Sequence, residues 1–140
     1  MCGLNHADFL LKSLKEGFKY DNTMKKLLKK ALCETPWEIR MSSEAYLFDL
    51  EDAKELLEAY LNAKGHHFSL SVNGEYILIE NKKYYDLLKF YVEHRELDED
   101  TQIAACSFGT TDSREIIKLH HQKHGLCAKA LAAAKARHWI

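Results

Sequence analysis

The chain has little of what marks linkers, membrane spans or secreted scaffolds. One proline and six glycines in 140 residues leave no flexible linker and no low-complexity tract. Apolar runs stop after a few residues, too short to cross a bilayer. The first residues show no charged start followed by an apolar stretch, so no signal peptide is expected, and no lipoprotein-type segment precedes Cys2. No internal repeat is visible. Cysteines stand at 2, 33, 106 and 127, irregularly spaced, and read as cytoplasmic thiols rather than as a disulfide framework.

What is present is ordinary for a globular chain. Hydrophobic residues make up 46% and charged residues 29%, which argues against disorder. The length suits a single domain that can bury a core without metals or disulfides. The net charge of −1 conceals a segregation. Residues 1–40 carry eight Lys/Arg against five Asp/Glu, residues 41–100 six against fourteen, and residues 101–140 six against two. Two basic ends thus flank an acidic middle, either packing on it or leaving a basic tail to meet a polyanion.

Periodicity suggests the elements. A helix is expected over Ala7–Lys19, with Phe9, Leu10, Leu14 and Phe18 on one side. A second carries Met24, Leu27, Leu28 and Ala31 at helical spacing and ends before Pro36. Residues 37–48 read as extended. Asp49 caps a helix whose buried stripe is Ala53, Leu56, Leu57, Tyr60 and Leu61, with Gly65 at its C-terminal cap. Phe68, Leu70 and Val72 alternate with serines, Asn73 and Gly74 form a hairpin-turn pair, and Tyr76, Ile77, Leu78 and Ile79 read as a doubly buried strand. A helix capped by Asn81 follows, with Tyr84, Leu87, Leu88, Tyr91 and Val92 inward, then a strand at Ile103–Cys106. Asp112 and Glu115 resemble a capping box for a last helix, interrupted near Gly125 and reaching His138.

That order predicts an α+β fold: a ferredoxin-like βαββαβ four-stranded antiparallel sheet over residues 37–108. An N-terminal helical hairpin (1–36) and a C-terminal helical segment (109–140) flank it within one domain. Both central strands are then apolar on both faces, so flanking helices or a second subunit must cover the sheet.

Chemistry-bearing residues concentrate in the last helix. His120 and His124 lie i, i+4, with Cys127 three residues on, a spacing compatible with a transition metal but short of a full ligand set. Glutamate is missing from position 121, where HExxH would need it. Cys106 leads toward a helix start, but the arginine that a cysteine-dependent phosphatase loop needs is replaced by Asp112. Lys118, His120, His121, Lys123, His124, Lys129, Lys135 and Arg137 form the candidate binding set, an electrostatic footprint without RNA-stacking motifs. No catalytic residues and no cofactor are assigned. The expected function is a non-enzymatic cytoplasmic binding or regulatory module, working through a protein surface, self-association or a small apolar pocket. A nucleic-acid binder using the basic helix is the alternative, and a thiol- or metal-dependent enzyme the second alternative.

Overall fold

In the computed structural model, residues 6–34, 46–62 and 70–140 are described, and every regular element among them is a helix. This overturns the α+β, ferredoxin-like expectation. The chain divides into two compact units, Met1–Ser71 and Val72–Ile140.

The first unit contains α1 (His6–Lys15), α2 (Asn22–Glu34) and α3 (Ala53–Leu61). Amphipathic stripes are the reason these helices form, and they include Leu11 and Leu32, which the sequence reading did not single out. Leu10, Leu11 and Leu14 of α1, Leu28, Ala31 and Leu32 of α2, and Leu56, Leu57 and Tyr60 of α3 are buried. Phe9, Phe18 and Leu27, expected inside, are exposed, and α1 stops four residues short of Lys19. Helix α2 packs on both α1 and α3. Across the α2–α3 contact, Glu55 bridges Lys25 at 3.1 Å and Lys29 at 2.8 Å. The Tyr20 hydroxyl donates to Asp52 at 2.8 Å. Residues 46–48, expected as strand, are helical, with Leu47 and Phe48 buried. The expected extended residues 37–45, Pro36, the Gly65 cap and Phe68 lie outside the described residues.

The second unit holds α4 (Val72–Glu80), a 3₁₀ turn (Lys82–Tyr84), α5 (Tyr85–His94), α6 (Glu99–Phe108), α7 (Thr111–His124) and α8 (Ala128–Ala136). The turn and second strand of the expected hairpin are helix α4, with Asn73 and Gly74 in its first turn, and Leu70 and Ser71 precede it outside any regular element. A short apolar run such as Tyr76–Ile79 has no period that separates a buried strand from a buried helix. Here it packs on α5 and α6, burying Leu78 and half-burying Tyr76, Ile77 and Ile79.

The expected fourth strand is the middle of α6. Asp98 caps this helix through a 3.0 Å bond from the Asp100 amide, Glu99 and Asp100 place negative charge at the favourable end, and Gly109 closes it at φ 66°. Its small residues bring another helix close: Ala105 and Cys106 form a buried cluster with Ile117 of α7 and Ala130 and Ala134 of α8. Helix α7 is capped by Thr110, whose hydroxyl accepts the Ser113 amide at 3.1 Å, two residues before the expected Asp112 cap. Gly125, at φ 80°, interrupts the C-terminal helical segment where the sequence places the break.

Candidate functional site

The histidines of α7 do not share one fate. His120 is 0% exposed; its Nε2 accepts the Leu97 amide at 2.9 Å and its Nδ1 donates to the Gly125 carbonyl at 2.7 Å. An amide only donates and a carbonyl only accepts, so the ring is neutral with its proton on Nδ1. Burial holds its pKa below the ordinary histidine value, against a smaller opposing effect of the Gly125 carbonyl. His124 donates from Nε2 to the Val92 carbonyl at 2.6 Å and meets His120 edge-on, ring centres 5.1 Å apart.

Backbone groups therefore hold both nitrogens of His120 and one of His124, and the i, i+4 pair offers no joint metal face. Cys127 caps α8, its amide donating to Gln102 at 2.8 Å. Among the described residues no three His, Cys, Asp or Glu side chains group as a metal ion would need. The Cys106 thiol lies inside α6, donates to the Ala130 carbonyl at 3.5 Å and is pushed up in pKa by burial, which suits a core thiol and not a nucleophile.

Of the basic set, Lys118, His121, Lys123, Lys129 and Lys135 are exposed. Arg137 is engaged. Its guanidinium lies against Gly109, donates to the Ser107 carbonyl at 3.3 Å and sits 5.4 Å from the Trp139 ring centre.

Sequence reasoning missed a buried polar frame that ties the helices together. Glu75, 2% exposed, accepts the Tyr91 hydroxyl at 2.7 Å on one oxygen and the Asp98 amide at 3.0 Å on the other. Burial raises its pKa, while Tyr91, the Asp98 amide and the nearby Thr101 hydroxyl work against that rise. Gln102 donates to the Leu97 carbonyl at 2.8 Å and accepts from Cys127. Glu75, His120 and Gln102 thus fasten the α5–α6 connection, and His120 and Gln102 also fasten the α7–α8 turn.

An open groove runs between α5 and α7. At one end lies a small dimple of about 20 Å³, floored by Leu78, Ile79, Leu88, Ala105 and Ile116 and rimmed by Asn81, Lys82, Tyr85, Asp112 and Ser113. Past Tyr85 and Ile116, which line both parts, an open trough of about 430 Å³ continues along Lys89, Glu115, Lys118, Leu119 and Gln122. The numbering rises from dimple to trough on both helices, so α5 and α7 run the same way along the groove. Burial first, then Glu115, Asp112 and Asp86, holds the Tyr85 phenol above its usual pKa, placing negative charge around Tyr85 where dimple and trough meet. Lys82, Lys89, Lys118, Asp112 and Glu115 form no ion pair with one another. Of the sequence candidates only Lys118 lies here. The groove's other lining residues were not singled out from sequence, because the dimple floor exists only if residues 72–80 and 99–108 are helices.

No protein family, curated protein or solved structure matches the chain. No helix among the described residues is long and apolar enough to cross a membrane.

Proposed function

We propose that this chain is a non-enzymatic binding module of the cytoplasm and that its contact surface is the α5–α7 groove. One observation carries the reading. The groups with chemical potential, namely Glu75, Tyr91, His120 and Cys106, are spent on one another and on backbone, whereas the groove presents an apolar dimple beside unpaired charges. Cys33, Cys106 and Cys127 as free thiols agree with a reducing compartment.

Selection of a phage-displayed peptide library on the folded protein tests this. Selected peptides are expected to shift the Ile116 methyl resonance and to lose binding to Ile79→Phe, which fills the dimple. Peptides that bind Ile79→Phe equally well and leave Ile116 unmoved count against the groove.

The exposed Lys118, His121, Lys123, Lys129 and Lys135 support a second reading, a nucleic-acid surface along α7 and α8. Affinity for a labelled oligonucleotide that falls steeply with salt favours it, and absence of binding at low salt removes it.

A further inference from the structure

We infer that the groove's partner is an amphipathic protein helix read in one direction, its apolar anchor in the dimple and an acidic side chain one turn further on, at Lys89 and Lys118. This rests on the binding reading above and adds the partner's chemistry. The dimple, with about 20 Å³ free, takes the tip of one apolar side chain and not an acyl chain. The trough beyond it is open enough for the next turn of a ligand. A groove between two helices suits an inserted helix, and among the described residues no sheet edge invites a strand.

Charge sets the direction. Asp112 and Lys82 rim the dimple, one charge of each sign, while Asp86 and Glu115 act on Tyr85 where dimple and trough meet. Lys89 and Lys118 line the trough against the single acid Glu115, with the neutral Gln122 beyond them, so the trough carries the net positive charge. Lys89 stands four residues after Tyr85 on α5, a rise of about 6 Å. A helix laid along the groove repeats that distance between its own positions i and i+4. An anchor followed by Asp or Glu at i+4 therefore meets the two lysines. Reversed, the same helix sets its acid beside Asp112 and Lys82, whose opposite charges offset one another and leave no net attraction.

The library selection above, extended to helical peptides, tests this inference separately from the reading beneath it. The expected outcome is enrichment of an apolar residue with Asp or Glu four positions later. Replacing that acid by Gln should weaken binding roughly fivefold, the scale of a pair of exposed charge contacts. The double variant K89E/K118E, both sites exposed and its fold checked by circular dichroism, should instead select Lys or Arg at that position. Apolar anchors without charge preference, or with the acid four positions before the anchor, overturn the inference and leave the binding module standing. Absence of any selected peptide that shifts Ile116 overturns both. Self-association weakened by K89E/K118E in sedimentation, or binding to phosphatidylserine vesicles lost in that variant, would assign the face to a second copy or to a membrane and overturn the inference.

Discussion

Tyr91 donates its phenolic proton to the Glu75 carboxylate at 2.7 Å, joining α5 to α4 inside the second unit. The other Glu75 oxygen accepts the Asp98 amide, so a single buried carboxylate also fastens the start of α6. Two donors make the charge tolerable there; they do not make it favourable, since burial is the larger influence and raises the pKa.

That balance predicts a pH dependence. With a raised folded-state pKa, the native protein holds more protons than the unfolded chain above about pH 4.5, so stability falls as pH rises through that window. Glu75→Gln keeps an acceptor for the Asp98 amide and a donor for the Tyr91 oxygen while removing the charge. It should be more stable than the natural chain at pH 7, with the difference closing below about pH 4.5. Tyr91→Phe leaves the carboxylate short of a donor and should cost about 1.5–3 kcal/mol. Urea unfolding of each variant across pH checks both.

His120 works in the opposite sense. Its pKa is depressed in the native state, so its stabilisation is complete above about pH 6.5 and is lost as pH falls through the folded value. Protonation turns Nε2 into a donor facing the Leu97 amide, itself a donor. His120→Ala should remove this acid sensitivity while costing about 2–4 kcal/mol at neutral pH, because the Leu97 amide and Gly125 carbonyl are both left without their partner. Thermal melts at pH 5 and pH 8 would show whether the acid-dependent loss disappears.

Gly109 ends α6 with φ 66° and meets Arg137 where a Cβ would stand, 2.8 Å from its Nη1. Gly109→Ala should destabilise by about 1–2 kcal/mol through backbone strain, plus the displacement of Arg137. Repeating the substitution in an Arg137→Ala background should retain only the strain. An equal effect in both backgrounds would show that the guanidinium moves aside freely.

Thr110 caps α7, so Thr110→Ala should cost about 1 kcal/mol and Thr110→Ser should recover most of it. Glu115→Gln should change stability by much less than the cap deletion. A larger effect at Glu115 than at Thr110 in chemical denaturation would return the helix start to the capping box expected at Asp112.

The faces of α2, α3 and α5 were legible, because Leu28, Leu57, Leu88 and Tyr91 recur at helical spacing among charged residues. Helix α4 was not. Its Tyr76–Ile79 run is apolar all round, and Asn73–Gly74 carries a hairpin signal that tertiary packing overrode. Helix α6 left a readable trace that was misjudged: Asp98 and Gly109 bracket it as start and stop, yet the small residues Ala104–Cys106 suggested strand. Of the candidate site, the exposed lysines of α7 and α8 were visible from charge alone. The inward turn of His120 and the capture of Arg137 were not, since each depends on a backbone carbonyl far along the chain or on a helix end that sequence does not position.

Local order therefore came from the residues themselves: periodic leucines, caps and glycine stops specify where most helices lie and which side is greasy. Assembly decided the rest. Whether a short apolar run becomes strand or helix, which histidine is sealed in, and which lysines border an open groove depend on neighbours distant in sequence, because burial and hydrogen-bond pairing are properties of the packed molecule.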